Sequence, residues 1–93
     1  MKNFKATYHP QFLKNLKKII NKNSLLSKKI EPFFLKLLSD PFYPGIKTHK
    51  VESRNYGKVF SSRLTGDLRI LWKFYDQEII LIFDIGTHNE PYN

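Results

Sequence analysis

The chain has no cysteine, which excludes a disulfide framework, a thiolate zinc site and a cysteine nucleophile. It has only four glycines, and they form neither a glycine-rich phosphate loop nor a nucleophile elbow. Its three histidines, at positions 9, 49 and 88, lack the spacing of metal ligands. No apolar run approaches the roughly 20 residues of a membrane-spanning helix, and the start lacks the apolar segment of a signal peptide. These absences predict a cytoplasmic protein without a metal or other cofactor.

What the chain does have is basic charge and enough apolar residues for one core. Its 93 residues, 41% of them hydrophobic, predict a single domain over residues 1–93. The net charge is +8, and it is unevenly distributed. Residues 1–50 carry eleven lysines against two acids, whereas residues 51–93 carry all three arginines and have a net charge of −1. Scattered lysines suit steering toward a polyanion, and arginines suit fixed phosphate contacts.

Two helices are predicted in the first half, after a short strand at residues 4–8. His9-Pro10 opens the first helix, because proline is well placed in a first turn. Its apolar stripe comprises Phe12, Leu13, Leu16, Ile19 and Ile20. Ser24 is expected to cap the second helix, and Pro32 is expected to kink that helix or mark a fresh start. The second stripe comprises Leu26, Ile30, Phe33, Phe34, Leu37 and Leu38.

In the second half the apolar period changes to two, which predicts strands. Lys58–Leu64 and Arg69–Tyr75 are two of them, joined by the turn Thr65-Gly66-Asp67. Ile79–Ile85 is almost continuously apolar, which predicts a strand covered on both faces. Residues 41–57, rich in proline and glycine, are predicted as a loop. The predicted fold is α+β, with an N-terminal strand and a helical hairpin packed on one face of an antiparallel sheet, in the order β-α-α-β-β-β.

The side chains that remain suit acid–base chemistry on a phosphate. Arg63 and Asp67 flank the Thr65-Gly66 turn and Arg69 follows, so the three are expected to share one side of a hairpin. His88 follows the last strand. Such groups suit metal-free RNA cleavage, in which the ribose 2′-oxygen attacks the neighbouring phosphate and fixed cations stabilise the added charge. Histidine can act as acid or base near neutrality, and an aromatic ring can stack a base.

Five segments resemble the RelE/ParE toxin superfamily, and its YafQ-like branch most closely. They are His9-Pro10-Gln11-Phe12, Asp40-Pro41-Phe42, Lys47-Thr48-His49-Lys50, the stretch from Ser62 to Ile70, and Ile85-Gly86-Thr87-His88 with Tyr92 four residues later. The resemblance covers essentially the whole chain in one register, and the terminal Gly-Thr-His with its aromatic is the most specific piece.

The resemblance implies the toxin of a type II toxin–antitoxin system. Such a toxin is a ribosome-dependent endoribonuclease that cleaves translated mRNA in the A site, and a cognate antitoxin holds it inactive. In that branch two histidines and an aspartate form the catalytic group, and they match His49, His88 and Asp67. His88 is assigned as general acid to the leaving 5′-oxygen, with either His49 or Asp67 as the base on the 2′-hydroxyl. Tyr92 matches the terminal aromatic of the branch.

At three positions the chain departs from that branch. Arg63 stands in place of a further histidine, Leu68 in place of a tryptophan and Asp84 in place of an arginine. The last difference removes a cation that would stabilise the phosphate. Arg63 and Arg69 are expected to replace it from the neighbouring hairpin.

Two other functions remain open from the sequence. ParE-type toxins of the same superfamily poison DNA gyrase, but they generally lack the histidine pair, so His49 with His88 argues against that function. A non-catalytic RNA-binding protein would act through its lysines alone. Lys47 and Lys50, on either side of His49, are expected to bind substrate RNA. No membrane and no small-molecule partner is expected.

Overall fold

The computed structural model describes residues 3–87, which fold as two helices on one face of a five-stranded sheet. The elements are β1 (Lys5–Tyr8), α1 (Pro10–Lys22), a 3-10 turn (Ser24–Leu26), α2 (Ser27–Ser39), a second 3-10 turn (Pro44–Ile46), β2 (His49–Ser53), β3 (Gly57–Arg63), β4 (Leu68–Phe74) and β5 (Ile79–Thr87). This architecture confirms the predicted α+β class. Neither α1 nor α2 is long and apolar enough to cross a membrane.

The strands lie in the order β1-β5-β4-β3-β2, with β2 to β5 forming an antiparallel meander. β1 is the exception to the predicted antiparallel sheet, since it pairs with β5 in parallel, Lys5 opposite Ile79 and Tyr8 opposite Ile82. Parallel pairing requires a long connection, and the two helices together with β2 to β4 supply it. β5 is therefore an interior strand, between β1 and β4, which explains its apolar sequence.

The larger core lies between the helices and the sheet. The sheet contributes Ile70, Trp72, Ile80, Ile82 and Ile85, and the helices contribute Phe12, Phe33 and Leu37. Burying each such side chain contributes about 1.5–3 kcal/mol relative to leaving it in water. Both predicted helical stripes thus contact the sheet, although Leu13 is 51% exposed and lies outside the core.

A smaller cluster lies on the opposite side of the sheet, which we call the open face. Val59, Leu71 and Phe83 are buried there, and the Tyr56 ring stacks on Phe83 with centroids 4.9 Å apart. The alternation predicted for Arg69–Tyr75 is confirmed, because Leu71 faces this cluster while its neighbours face the helices. The prediction that the last strand is covered on both faces is confirmed as well.

Two local predictions were wrong, and a third was wrong in one of its two alternatives. Residues 49–53 form β2, because an edge strand is held by its backbone pairing with β3 and needs little apolar pattern of its own. Ser24 does not cap α2, which begins at Ser27 after the 3-10 turn and has no side-chain cap. Of the two alternatives for Pro32, a fresh start is wrong, since α2 runs through Pro32 from Ser27 to Ser39.

A β-bulge interrupts the pairing of β4 with β5. Leu71 lies opposite Asp84 while Trp72 lies opposite Ile82, so Phe83 is an extra residue on β5. A bulge of this kind shifts the alternation of the strand that carries it. Ile82 and Ile85 consequently both face the helices, although three positions separate them.

Candidate active site on the open face

Four strands begin or end along one edge of the sheet, namely the edge that runs across the strand ends. In an antiparallel meander the starts of β2 and β4 lie beside the ends of β3 and β5. His49 opposes Ser61, Arg63 opposes Arg69, and Arg69 opposes Gly86. Alternation from the Val51–Val59 pair and from Leu71 places His49, Arg63 and Arg69 on the open face. Arg63, Arg69 and Gly86 form one row across β3, β4 and β5, and His49 lies on β2 opposite Ser61, two residues before Arg63. At about 4.8 Å per strand, β2 and β5 are about 14 Å apart across the sheet.

His49, the first residue of β2, has an exposed ring in a defined orientation. Its Nδ1 lies 3.1 Å from the backbone carbonyl oxygen of Lys47. A carbonyl oxygen only accepts hydrogen bonds, so Nδ1 carries the proton and donates it. In the neutral imidazole, Nε2 is then the nitrogen that can accept a proton from a substrate.

A chain of hydrogen bonds fixes the residue before His49. The buried Trp72 indole Nε1 donates to the Ser62 hydroxyl over 2.8 Å. The Thr48 hydroxyl donates to the Pro41 carbonyl over 2.6 Å, so the Ser62 hydroxyl must donate to Thr48 across their 2.6 Å contact. This chain ties the loop before β2 to the core, and neither Ser62 nor Thr48 was identified as a site residue from the sequence.

The β3–β4 turn presents Asp67 at the same edge. The Thr65 hydroxyl accepts hydrogen bonds from the backbone N–H of Asp67 (3.3 Å) and of Leu68 (3.1 Å). The turn is therefore ordered by its own side chain, in the manner of an ST turn. Asp67 itself is exposed.

The two arginines of this edge differ in what holds them. Arg69 is 9% exposed, and its Nη1 donates to the backbone carbonyls of Thr65 (3.4 Å) and Gly66 (3.3 Å). It therefore braces the turn that carries Asp67. Arg63 is half-buried, and its Nε has no hydrogen-bond partner within the described part of the chain. Arg63 is thus the arginine with unused hydrogen-bonding capacity.

The two lysines predicted to bind substrate, Lys47 and Lys50, do not lie together on the open face. Lys50 opposes Phe60 and so lies on the helix side of the sheet, away from His49. It lines a cavity of about 440 Å³ with Lys58, and this cavity also includes Lys73 of the open face but not His49. Lys47 is exposed and has a left-handed backbone, with φ of 49°.

Asp84, which stands where an arginine was expected, is a bound carboxylate. It is 9% exposed, and it accepts hydrogen bonds from Asn15 Nδ2 (2.7 Å) and from the backbone N–H of Ile85 (2.8 Å). The Tyr56 hydroxyl donates to it over 3.4 Å. Burial first, and then the charge and hydrogen bond of Asp84, raise the pKa of Tyr56 above its ordinary value. Asp84 therefore joins α1 to the open face.

The remaining predicted site residues, His88 and Tyr92, lie outside the described residues. Thr87 is the last residue of β5 and opposes Leu68, so the described chain ends beside the β3–β4 turn. Among residues 3–87 no group of three or more histidines and carboxylates could hold a metal ion.

No protein-family model and no curated protein matches the chain. Several solved structures are similar to it. YafQ from Escherichia coli superposes with a TM-score of 0.75 at 17% identity, covering 97% of this chain and 99% of that one. YoeB from Staphylococcus aureus, solved as a dimer, gives 0.72 at 23% identity over 92% and 98%. RelE from the Pyrococcus horikoshii RelE–RelB complex gives 0.71 at 18% identity over 94% and 97%. The chain therefore has the RelE/YafQ-like toxin fold.

Proposed function

We propose that this chain is the toxin of a type II toxin–antitoxin system and acts in the cytoplasm as a ribosome-dependent endoribonuclease on mRNA. One observation carries the proposal: His49, Arg63 and the turn bearing Asp67 occupy the same edge of the open face. That edge belongs to a fold whose solved relatives include YafQ, YoeB and RelE.

The proposed reaction transfers two protons and exchanges one bond at phosphorus. A base takes the proton of the ribose 2′-hydroxyl, and the 2′-oxygen forms a bond to the adjacent phosphorus. The bond from phosphorus to the 5′-oxygen breaks, and His88 donates a proton to that oxygen. The products are a 2′,3′-cyclic phosphate and a 5′-hydroxyl. Arg63 stabilises the negative charge that builds on the phosphate oxygens, and Tyr92 stacks a base.

Of the two candidate bases, the geometry favours His49. Its Nδ1 is engaged by the Lys47 carbonyl, which leaves Nε2 as the ring nitrogen that can take the proton, on a side chain that is exposed. Asp67 then orients the substrate from the neighbouring turn, which Arg69 braces. In this assignment Arg69 is a positioning residue. Arg63 supplies the positive charge that is lost because Asp84 stands in place of an arginine.

The test is expression of the wild type, His49→Ala and His88→Ala in bacteria, followed by mapping of mRNA 5′ ends. We expect growth arrest with in-frame cleavage for the wild type and loss of both in each variant. Removing residues 88–93 should likewise abolish toxicity and leave the fold intact. A truncated chain that still arrests growth would refute the role of His88.

The same experiment separates the alternatives. Growth arrest with an SOS response and intact mRNA would identify a gyrase inhibitor instead. No growth effect from the wild type would leave a non-catalytic RNA-binding protein.

A cognate antitoxin is the proposed protein partner, alongside the ribosome and mRNA. Two of the similar structures are YafQ with DinJ and RelE with RelB, each a complex of the two named proteins. A chain with a net charge of +8 would associate rapidly with an acidic partner. The gene beside this one should therefore encode a small acidic or DNA-binding protein.

A further inference from the structure

Three phenylalanine rings form an exposed patch on the helix side of the sheet, opposite the candidate active site. Phe42 follows α2, Phe60 lies on β3 and Phe74 ends β4, and we call this patch the aromatic surface. The ring centroids are 5.4 Å apart for Phe42–Phe60, 5.8 Å for Phe60–Phe74 and 6.2 Å for Phe42–Phe74. Phe42 remains 54% exposed and Phe74 36% exposed. Contiguous apolar patches of this kind mark interaction sites, unlike single scattered side chains.

Lysines form the rim of the aromatic surface. Lys50 lies directly across from Phe60, and Lys58 lies two residues before Phe60 on the same face of β3. Lys36, on the last turn of α2, sits 4.4 Å from the ring centroid of Tyr43, the neighbour of Phe42. An apolar centre with a charged rim is the anatomy of a protein interface.

The ring geometry favours a protein over RNA. Phe42 meets Phe60 at 82°, and Phe60 meets Phe74 at 75°, so the rings pack edge to face. Stacking of nucleic-acid bases requires a flat ring face that is laid open. Phe60 already stacks on Trp72 with centroids 4.8 Å apart, and the exposed Phe42 and Phe74 rings are tilted by 43° to each other, so the two do not form one flat platform. A second copy of the chain is disfavoured because each copy would bring the same lysine rim and the same net charge of +8.

From these observations we infer that the aromatic surface is the docking site of the antitoxin, which packs apolar side chains against the exposed sides of the three rings and sets carboxylates against Lys50 and Lys58. The inference rests on the proposed function for the identity of the partner. Because the surface lies on the opposite side of the sheet from His49, docking there anchors the antitoxin and leaves coverage of the active site to another part of it.

The test measures binding of the purified product of the adjoining gene to the full chain by isothermal titration calorimetry. Phe42→Ser should weaken binding about 30-fold, as expected for a central interface residue. Leu25→Ser is the matched control, since Leu25 is 66% exposed but lies at the other end of α2, about 20 Å away. It should change binding by less than about 2-fold, the scale of a residue outside the contact.

Lys50→Glu is a second variant that disturbs no packing, because Lys50 is exposed. It should weaken binding about 5- to 10-fold, with the loss diminishing at high salt. Circular dichroism and the melting temperature establish that each variant is folded. Wild-type affinity in both Phe42→Ser and Lys50→Glu would overturn the docking site, and so would failure of the adjoining product to bind the wild type.

Two further measurements identify what binds the aromatic surface if the antitoxin does not. Loss of binding to a ten-nucleotide oligouridine in Phe42→Ser, with partner binding intact, would make it an RNA surface. Dissociation of a wild-type dimer by Phe42→Ser in sedimentation would make it a self-association surface. Phe42→Ser without the antitoxin should still cleave mRNA. A wild type that binds through Phe42 but cleaves no mRNA would refute the nuclease and leave the docking site standing.

Discussion

The two faces of the sheet differ in what their residues do. The helix side holds the larger core, in which Ile70, Trp72 and Ile82 are completely buried. The open face has a small cluster around Leu71 and carries the polar edge that begins at His49. Stability is therefore concentrated on one side and the proposed chemistry on the other. Neighbouring residues of a single strand can thus be substituted to test the two properties separately.

The largest expected effect contrasts the adjacent residues His49 and Lys50. His49→Ala should lower mRNA cleavage by about 100- to 10,000-fold, the usual contribution of a general base. Lys50→Ala should lower it less than about 5-fold, because Lys50 is on the other face and acts through screened charge. Primer extension on a translated mRNA measures both. Equal losses of cleavage in the two variants would show that the proposed chemistry is not confined to the open face.

The next effect concerns stability on the helix side. Trp72→Ala should lower the free energy of unfolding by about 3–5 kcal/mol, since it empties a fully buried site. Trp72→Phe, which keeps much of the ring but loses the N–H donated to Ser62, should cost less, about 1–3 kcal/mol. Urea denaturation gives both values. A cost below about 1 kcal/mol for Trp72→Ala would contradict the division between faces.

Thr48 links the two properties, so its substitution should affect each moderately. Thr48→Val keeps the shape but removes a hydroxyl that joins Ser62 to the Pro41 carbonyl. We expect a loss of about 1–2 kcal/mol in stability and a lower kcat from the displaced His49. Thr48→Ser should restore both and leave the pH profile of cleavage as in the wild type. Failure of serine to rescue would show that the methyl group, and not the hydroxyl, positions His49.

The smallest expected effect concerns the pH dependence contributed by Tyr56. Its pKa is raised in the folded state, so the folded protein keeps this proton to higher pH than the unfolded chain. The stability that Tyr56 contributes should thus be constant below about pH 10, its unfolded pKa, and fall as the pH rises through the folded value. The stability difference between wild type and Tyr56→Phe, followed by urea denaturation, measures this.

Asp84→Asn provides the matched variant. It removes the charge that is the second cause of the shift, so the pKa of Tyr56 should fall, but burial should keep it above the ordinary value. Ultraviolet titration against Tyr56→Phe isolates this tyrosine. An unchanged pKa in Asp84→Asn would show that the 3.4 Å contact contributes nothing.

The elements that the sequence predicted best are those in which the apolar pattern follows the burial of the side chains. Alternation in Arg69–Tyr75 and the continuous apolarity of Ile79–Ile85 are direct consequences of facing two cores, and both predictions were confirmed. β2 could not be found in this way, because its residues are mostly exposed and its stability comes from pairing with β3. The parallel pairing of β1 likewise leaves no local pattern.

The candidate site was predictable in its residue types and not in its arrangement. The side of His49 and the opposite side of Lys50 depend on β2 being a strand, so a loop prediction could not separate them. Arg69 looked equivalent to Arg63 in the sequence, but only packing shows that its Nη1 is committed to the turn carbonyls. The contact of Asp84 with Asn15 joins residues 69 positions apart, which no local pattern can reveal.

The bulge at Phe83 has a consequence for any alignment or redesign of the last strand. Before it, the even-numbered positions Ile80 and Ile82 point into the main core, whereas after it the odd-numbered Ile85 does. The parity of inside and outside is thus reversed within one strand. A homologous strand without the bulge must be aligned with a one-residue gap here. Deleting Phe83 in this chain should therefore remove the bulge and leave the residues that follow on their present sides, because Asp84 and Ile85 would then continue the pairing of Ile82 with β4.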